Sequence, residues 1–467
     1  MRLSGTTTMK EYELVVVGGG TANNVADAAA SAGMETALVE KKKLGGTCLN
    51  RGCNPSKMLI QSAKVAETVR GSERFGIESS LDSIDFGGIV DEMETKLSGI
   101  ADGMEERYSA KDSLTLYKDV ARFVGERTLE LDGGEKIRGE KVVVATGSSP
   151  LVPPIDGLDE VDYMTSREAL YLDEPPESLV VLGGGYISCE LGYFFEAMGT
   201  EVRIVEANDV LLHREDSDIA EEFHGIAEGR HEVRTGYIGT AVRETPDGVE
   251  VVAEATDNGD GAEEDEITVS GEKLLVAVGR KPNTESLNLE TAGIETDERG
   301  FVKTDKHLET TAENVWAQGD VAGNFVFKHS GDYETEHVVR NVVHDEGMEI
   351  DYSAMPHAIF TEPQIAGVGK TEDELAEEVV EYSVGTARFE DSAMGRAKKL
   401  EHGFAKALVA HDGEILGFHV IGEEASILVH EAVVAMRNGV TADEVSDTIH
   451  AHPTLSRVVE AAFVDAV

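Results

Sequence analysis

The chain has 467 residues, which allows roughly two to four domains, and its 90 Asp and Glu against 41 Lys and Arg give a formal net charge of −49 at pH 7. A surface of this charge repels nucleic acid and anionic membranes, so we expect neither as a partner. Residues 1–10 lack the apolar core of a signal peptide and no run of about 18 apolar residues follows, so we expect a cytoplasmic protein.

The remaining composition is that of a folded protein. Hydrophobic residues make up 41% of the chain, which excludes an acidic disordered protein, and three cysteines fit a reducing cytosol. An acidic, lysine-poor surface is typical of organisms that keep molar salt inside the cell, where screening limits charge repulsion to a few ångströms. We therefore interpret the chain as a halophilic protein.

The first predicted element is a nucleotide-binding βαβ unit. The apolar run ELVVV at 13–17 predicts a buried parallel strand that ends in a turn containing Gly18 and Gly20, followed by a helix and a second strand. The second strand ends at Glu40, twenty residues after Gly20, which is the spacing at which a carboxylate meets a ribose hydroxyl. Asn23 replaces the third glycine of the usual pattern, but the strand, helix and acidic residue still indicate a dinucleotide site.

Directly after this unit, residues 45–57 read GGTCLNRGCNPSK and contain Cys48 and Cys53. A CxxxxC pair without a second CxxC or HxxxH favours a redox disulfide over a zinc site, and we expect no metal. Pro55 suits the first turn of a helix through Lys57, and a thiol near a helix N-terminus has a lowered pKa and is reactive at neutral pH. A structural disulfide or two buried thiols are the disfavoured alternatives, because reduced cytosolic chains rarely carry structural disulfides.

The βαβ pattern then occurs a second time. The apolar run LVVL leads into Gly183 and Gly185, a helix is predicted over 186–198, and the next strand ends at Glu206. Two such units in one chain predict two dinucleotides, or one dinucleotide and a flavin. Cys189 lies in the second helix and is interpreted as core packing rather than as a third redox thiol.

Three shorter predicted strands end in small residues, where the chain passes close to a ligand or another domain. The residues that follow these strands are Thr146 and Gly147, Gly279 and Arg280, and Gly319 and Asp320. From about residue 346, alternating strands and an amphipathic helix at 425–438 predict an α+β domain whose helix packs across a dimer. The charged stretch at 257–266 is interpreted as a solvated hairpin tip or loop.

Together these motifs resemble those of the pyridine nucleotide-disulfide oxidoreductases, the flavoprotein family that includes glutathione reductase, dihydrolipoamide dehydrogenase, mercuric reductase and mycothione reductase. Six motifs occur in the family's order between about residues 12 and 456: the first glycine turn, GGTCLNRGCNPSK, ATG, GGGYISCE, AVGRKPN with AQGD, and HAHPT. The resemblance implies an α/β fold with two Rossmann-like dinucleotide-binding domains, one inserted in the other, and a C-terminal α+β dimerisation domain. The implied boundaries are 12–150 and 281–345 for the FAD domain, 151–280 for the NAD(P) domain and 346–467 for the interface domain.

The resemblance also implies FAD and either NADPH or NADH as cofactors. Lys57 and Glu190 match the family's ion pair beside the flavin, and Tyr186 matches the aromatic gate that covers it. The implied cofactor-binding residues are Gly18, Gly20, Glu40, Gly46, Thr47, Lys57, Thr146, Gly147, Gly183, Gly185, Tyr186, Glu190, Glu206, Gly279, Arg280 and Asp320.

Catalytic roles follow from the same resemblance. Reduced nicotinamide would reduce the flavin, which would reduce the Cys48–Cys53 disulfide. Cys53 would lie against the flavin, and Cys48, the more accessible thiol, would attack the substrate disulfide to give a mixed disulfide that Cys53 resolves. The acid-base residue would be His452, contributed by the partner subunit of a homodimer, with His450 beside it.

One position departs from the family pattern. Most relatives carry a glutamate five residues after the catalytic histidine, where this chain has Arg457. Either Glu460 or another acid replaces that glutamate, or His452 works without a carboxylate. As a further alternative, Arg457 and Arg51 pair with carboxylates of the substrate, or both are surface residues.

Secondary resemblances narrow the substrate. The Asn23 form of the glycine turn, the segment at 210–223 and the segment GDVAGNFVFKHSGDYE at 319–334 resemble mycothione reductase more than dihydrolipoamide dehydrogenase. A small-thiol disulfide is therefore favoured, and because halophiles commonly use γ-glutamylcysteine, we expect bis-γ-glutamylcystine. The alternatives are dihydrolipoamide dehydrogenase of a 2-oxo acid dehydrogenase complex and a flavin-binding relative without turnover. Mercuric reductase is disfavoured because no extra thiols occur near the C-terminus.

The choice of nicotinamide stays open. Glu206 should bond a 2′-hydroxyl and repel a 2′-phosphate, which favours NADH. Reductases of small-thiol disulfides mostly use NADPH, however, and Arg203, His213 or Arg214 could reach a phosphate while molar salt weakens the repulsion.

Overall fold

The computed structural model describes residues 9–256 and 264–467, so most of the solvated hairpin tip or loop predicted at 257–266 lies outside the described residues. The described residues form two compact units: one comprises residues 9–58, 88–151 and 279–350, and the other comprises residues 59–87, 152–256, 264–278 and 351–467. The α-helices are Asn23–Ser31, Gly46–Arg51, Cys53–Arg70, Phe86–Ser109, Ser166–Ala169, Tyr186–Met198, Ser217–Glu228, Lys328–Val342, Glu372–Glu377, Ala393–Lys398, Ala425–Arg437, Ala442–Ser446 and Ser456–Ala466.

The first unit is built on a seven-stranded sheet. Its parallel part has the order Leu114–Tyr117, Thr36–Val39, Lys10–Val17, Lys136–Val144 and Val315–Ala317. The strands Ala121–Gly125 and Thr128–Leu131 join it as an antiparallel hairpin, and Ser148–Pro150 pairs with Arg280–Pro282 in a separate ribbon. The first strand, Lys10–Val17, lies between Thr36–Val39 and the later strand Lys136–Val144, which is the arrangement of a dinucleotide-binding sheet.

Both faces of this sheet are covered. Val15 and Val17 of the first strand belong to one hydrophobic core, and Leu14 and Val16 belong to another, which the helix Asn23–Ser31 also lines. All four side chains are almost completely buried, because successive residues of a strand point to opposite faces. Burial on both faces explains why the strand is an uninterrupted apolar run in the sequence.

The second unit contains three sheets. The parallel sheet has the order Glu232–Thr235, Glu201–Glu206, Ser178–Leu182, Lys273–Val276 and Tyr163–Met164. The three-stranded antiparallel sheet consists of Tyr237–Thr245, Gly248–Ala255 and Glu266–Gly271. The C-terminal antiparallel sheet has the order Pro356–Ile359, Gln364–Gly369, Ile415–Gly422, Phe404–Ala410 and Tyr382–Arg388.

Two helices complete the C-terminal part. Ala425–Arg437 and Ser456–Ala466 share one hydrophobic core with the C-terminal sheet, in which the rings of Phe418 and Phe463 stack 5.5 Å apart. The predicted α/β class with two dinucleotide-type sheets and a C-terminal α+β region is confirmed. The predicted domain boundaries stay a prediction. In the described part of the chain, every helix is too short or too polar to cross a membrane.

Candidate active site

The first glycine turn has the geometry of a dinucleotide site. Gly18 has a φ of +114°, and a Cβ there would lie 2.2 Å from a backbone carbonyl oxygen, so only glycine fits. The Glu40 carboxylate accepts hydrogen bonds from the backbone N–H of Gly19 at 2.7 Å and of Lys42 at 2.6 Å. A Cβ on Gly20 would meet nothing within 4 Å, which leaves space against the backbone for the pyrophosphate of a dinucleotide.

The thiol motif begins on this glycine turn. The backbone N–H of Gly45 donates to the Gly19 carbonyl at 2.8 Å, and a Cβ on Gly46 would lie 2.7 Å from the Cα of Gly20. The first unit therefore holds the start of the thiol motif directly against the predicted FAD pyrophosphate site.

The two cysteines are present as hydrogen-bonded thiols. Cys48 lies in the short helix Gly46–Arg51, and Cys53 begins the helix Cys53–Arg70. The Cys48 thiol also donates to Asn54 Oδ1 at 3.5 Å. Cys48 is half-buried within its helix turn and Cys53 is exposed at the start of the next helix. The predicted order of accessibility refers to the pair with the flavin lying against Cys53, and it stays a prediction.

Some neighbouring groups raise the pKa of the Cys48 thiol and others lower it. The hydrogen bond with Cys53, and then burial, raise the pKa of the Cys48 thiol above its ordinary value, while the Lys328 ammonium and the backbone of Asn54 lower it. Lys328 forms an ion pair with Asp332 at the start of the helix Lys328–Val342. The sequence interpretation missed Asn54 and Lys328 as site residues, although Asn54 follows Cys53 directly and Lys328 belongs to the segment at 319–334 singled out by resemblance.

Other predicted FAD residues converge at the ribbon after the ATG motif. Arg280 Nε donates to Ser148 Oγ at 2.8 Å and lies 3.7 Å from Asp320 Oδ2, and Ser148 Oγ donates to the same carboxylate. Thr146 Oγ1 donates to the carbonyl of Asn283 at 2.9 Å. The first unit thus gathers five predicted cofactor residues from three segments: Thr146, Gly147, Gly279, Arg280 and Asp320.

The second glycine turn repeats the geometry of the first. Gly183 has a φ of +101°, and a Cβ there would lie 2.7 Å from a backbone carbonyl oxygen. The buried Glu206 carboxylate accepts hydrogen bonds from the backbone N–H of Gly184 and, at 2.8 Å, of Asn208. A Cβ on Gly185 would again meet nothing within 4 Å, so this turn also has room for a pyrophosphate.

The three basic residues considered for a 2′-phosphate are placed differently. Arg203 is held by ion pairs with Glu201 at 2.6 Å and Glu232 at 3.3 Å. The His213 ring lies 3.1 Å from the side-chain nitrogen of Asn208, the residue that also binds Glu206, and Arg214 is exposed. Of the three, His213 is therefore the one that the structure connects to the Glu206 carboxylate.

The helix Tyr186–Met198 carries three of the predicted positions. Tyr186 is half-buried at its first turn, and Glu190, 3% exposed, accepts a hydrogen bond from the backbone N–H of Phe360 at 2.9 Å. The Cys189 thiol is buried, which raises its pKa, and donates to the Gly184 carbonyl at 3.5 Å. Lys57 is half-buried one turn after Cys53 and belongs to the other compact unit, so its pairing with Glu190 stays a prediction.

The two C-terminal histidines have different surroundings. His452 is exposed, and within residues 9–256 and 264–467 the structure gives it no hydrogen bond or ion pair. The His450 side chain is 4% exposed, and burial alone would lower its pKa. The hydrogen bonds with Glu431 and Thr448 and the charges of Glu431 and Glu460 together outweigh burial and raise the pKa of His450. Glu460 lies 2.7 Å from Arg457 and 3.9 Å from His450, so its contacts are with these residues rather than with His452.

Arg51 lies between the two cysteines in the sequence and is half-buried. Its Nε is buried, and no hydrogen-bond partner for it is present in the described ranges. A buried guanidinium nitrogen without a partner is costly unless a ligand satisfies it.

A dithiol on one glycine turn, together with a second glycine turn, defines a flavoprotein disulfide reductase that uses a nicotinamide dinucleotide. The chain belongs to the pyridine nucleotide-disulphide oxidoreductases, because the model of that family matches residues 12–344 and its dimerisation domain matches residues 355–463. Members are FAD-dependent and use NAD(P)H, and the two open glycine turns fit these groups. The predicted family and enzyme class are confirmed.

Similar proteins have more than one named activity. The chain is 37% identical over 455 residues to dihydrolipoyl dehydrogenase of Halobacterium salinarum, covering 95% of this chain and 94% of that protein. It is 33% identical over 471 residues to mycothione reductase of Mycobacterium tuberculosis, covering 98% of this chain and 99% of that protein. The solved structure of the HOCl-induced flavoprotein disulfide reductase RclA from Escherichia coli matches with a TM-score of 0.84 at 28% identity, covering 97% of this chain and 99% of that chain.

Proposed function

We propose that the chain is a cytoplasmic homodimer that reduces the disulfide of a small, carboxylate-bearing thiol, with bis-γ-glutamylcystine as its substrate and NADPH or NADH as electron donor. The observation that supports this choice is the buried Nε of Arg51, a residue that stands between the two cysteines in the sequence and whose Nε has no hydrogen-bond partner among the described residues. Bis-γ-glutamylcystine carries carboxylates on both halves, which can pair with a guanidinium, whereas the amide-linked lipoyl group carries none near its disulfide.

The thiol chemistry follows from the arrangement of Cys48 and Cys53. Cys48, as thiolate, attacks one sulfur of the substrate disulfide, which breaks the S–S bond and releases the first product thiolate. Cys53 then attacks Cys48 in the mixed disulfide, releases the second product thiol and closes the Cys48–Cys53 disulfide. The two electrons lost by the cysteine pair are those gained by the substrate.

The remaining residues support this exchange. FAD, when bound, supplies the pair with electrons from NAD(P)H. The exposed side of Cys53 suits a thiol that lies against a flavin, and we assign Lys57 and Glu190 to orientation of the cofactors and Tyr186 to covering the flavin. His452 holds and returns the proton of the leaving thiol, and we assign it to the cysteine pair of a second copy of the chain.

The test is a panel of disulfides assayed in molar KCl with each nicotinamide: bis-γ-glutamylcystine, glutathione disulfide, cystine, mycothione and lipoamide. We expect the highest kcat/KM for bis-γ-glutamylcystine. An Arg51→Gln variant should raise its KM about tenfold and leave the KM of lipoamide unchanged, since one desolvated ion pair is lost. The control is Arg243→Gln, which changes an exposed arginine. A preference for lipoamide that Arg51→Gln does not alter would contradict the proposal.

Dihydrolipoamide dehydrogenase of a 2-oxo acid dehydrogenase complex is the second candidate, and the 37% identity to the Halobacterium enzyme favours it. Efficient oxidation of dihydrolipoamide with NAD⁺ would establish that activity. A flavin-binding relative without turnover would instead fail to bleach its flavin when NADPH or NADH is added.

A further inference from the structure

A buried lysine of the C-terminal sheet binds the chain segment that follows the second nucleotide-binding unit's strand Glu201–Glu206. Lys406 lies on the strand Phe404–Ala410 with its side chain 0% exposed. Its Nζ is 2.7 Å from Asp216 Oδ1 and 2.6 Å from Asp218 Oδ2, and it also pairs with Glu372. These three carboxylates lie close enough together to hold a metal ion, but the ammonium group lies among them, and we assign no metal.

The surroundings of the Lys406 amine favour its charged, protonated form. Burial alone would lower the pKa of the Lys406 amine, but the hydrogen bonds and charges of the three carboxylates outweigh burial and raise it. Asp216 is also fully buried, and its second oxygen accepts a hydrogen bond from the backbone N–H of Glu372 at 3.1 Å. Loss of the ammonium would leave a buried carboxylate facing two others, which is strongly unfavourable.

Two further bonds hold the same stretch of chain. Glu215 Oε2 is 2.6 Å from His357 Nε2, and Glu222 Oε1 accepts a hydrogen bond from the backbone N–H of Gly403 at 3.2 Å. The segment 215–222, which starts the helix Ser217–Glu228, is therefore fixed to the C-terminal sheet by Lys406 at its centre and by a bond on each side.

The residues just before this segment form one side of the second glycine turn. The N–H of Glu215 donates to the Leu212 carbonyl at 2.8 Å, and the N–H of Leu212 donates to the Gly184 carbonyl at 2.9 Å. Leu211 packs so closely that a Cβ on Gly184 would lie 2.6 Å from its Cδ2. Leu212 has a φ of +55°, a conformation that a leucine keeps only when its surroundings impose it.

We propose that Lys406 is a positioning residue for the nicotinamide dinucleotide: by holding Asp216 it fixes the segment 211–216 against Gly184, through Leu211 and Leu212. This inference rests on the proposed nicotinamide site at the second glycine turn. The Lys406 Nζ contacts Asp216, Asp218 and Glu372 and acts on the turn through the segment that contains Asp216, so its removal should weaken nucleotide binding and leave the affinity for the disulfide unchanged.

The experiment compares Lys406→Met, Lys406→Arg and Asp218→Asn in the FAD-bound full chain. Binding of NADP⁺ and NAD⁺ is measured by calorimetry in molar KCl, and KM is measured separately for the nucleotide and for bis-γ-glutamylcystine. We expect Lys406→Met to weaken nucleotide binding about tenfold or more, Lys406→Arg to retain most of it, and Asp218→Asn to weaken it about threefold. The matched control is Lys398→Met, which removes a partly exposed lysine paired with Glu423 on the same domain.

The outcomes separate this inference from the function on which it rests. A folded, flavin-loaded Lys406→Met protein with unchanged nucleotide binding would refute the inference, as would a rise in disulfide KM equal to that in nucleotide KM. If Lys406→Met does not fold, the half-exposed Asp218 decides the matter, and unchanged nucleotide binding in Asp218→Asn would refute it. Unmodified protein that binds neither nucleotide would refute the nicotinamide site itself.

Discussion

In the glycine turn at 18–20 and in the one at 183–185 the same contacts recur. A carboxylate accepts the N–H of the middle glycine, a leucine packs against that glycine, and a residue with positive φ donates its N–H to the same glycine's carbonyl. These residues are Glu40, Leu44 and Gly45 in the first turn and Glu206, Leu211 and Leu212 in the second.

The chain that follows each turn differs. After Gly45 the chain forms the helix that carries Cys48. After Leu212 the chain reaches Asp216, whose carboxylate binds the buried Lys406 of the C-terminal sheet. Glycine adopts positive φ at little cost, but leucine at this φ costs about 1–3 kcal/mol, which the contacts around Asp216 must offset. One dinucleotide-binding geometry therefore serves two tasks: the first turn leads into the helix that carries a thiol, and the second is anchored to the C-terminal sheet.

The largest expected effect comes from removing the thiol of Cys48, which lies in the helix after the first glycine turn. Cys48→Ser should lower disulfide turnover by about a thousandfold or more, because the hydroxyl is a far weaker nucleophile and cannot form the mixed disulfide. Flavin reduction by NAD(P)H should remain, since the second turn is unchanged. Stopped-flow absorbance of the flavin and steady-state assays measure the two separately, and substantial turnover in this variant would show that another thiol attacks.

Alanine in place of Gly20 or Gly185 should distinguish the binding of FAD from the binding of NAD(P)H. Gly185→Ala is expected to raise the KM for NAD(P)H about tenfold, and Gly20→Ala to reduce FAD content, because each new Cβ enters space meant for a pyrophosphate. Gly184→Ala is the contrast, since its Cβ would lie 2.6 Å from Leu211 and should lower the unfolding free energy by about 1–3 kcal/mol. Gly185→Ala that only destabilises the protein would contradict the assignment.

Of the two carboxylates, Glu206 should affect the choice between NADPH and NADH, and Glu40 should not. Glu206→Gln is expected to raise the ratio of kcat/KM for NADPH to that for NADH about fivefold, because it removes a negative charge from the position of the ribose 2′-substituent. Glu40→Gln should leave this ratio unchanged. A shift of the ratio in Glu40→Gln, or none in Glu206→Gln, would reverse the assignment of the two turns.

A smaller effect is expected from Lys328. Its ammonium lowers the pKa of the Cys48 thiol, so Lys328→Met should raise that pKa and move the pH profile of Cys48 alkylation to higher pH. Turnover should fall more at the acidic end of the profile than at the alkaline end, because the thiolate fraction falls there first. Lys281→Met is a matched control, as Lys281 also pairs with an acidic residue four positions later. Equal profiles for the two variants would contradict this role.

The local sequence pattern was sufficient to predict the two glycine turns and the helices and strands beside them. The helix at 186–198 and the strand end at Glu206 were predicted correctly, and the strand predicted to end at Glu40 ends one residue earlier, at Val39. These features follow from apolar periodicity and glycine placement, which act over a few residues. The contacts of Lys406 could not be predicted, because Asp216 is 190 positions away and the lysine sits in a strand that reads as apolar. The ion pair of Arg203 with Glu232 could not be predicted either, because it depends on the pairing of the strands Glu201–Glu206 and Glu232–Thr235.

The central claim is that Cys48 attacks the substrate and Cys53 resolves the mixed disulfide. The most direct measurement uses Cys53→Ser, reduced and then exposed to bis-γ-glutamylcystine, with peptide mass spectrometry of the trapped adduct. Our account predicts one γ-glutamylcysteine attached to Cys48 and rapid release by added thiol. An unmodified Cys48 in this variant, together with an adduct on Cys53 in Cys48→Ser, would contradict the account.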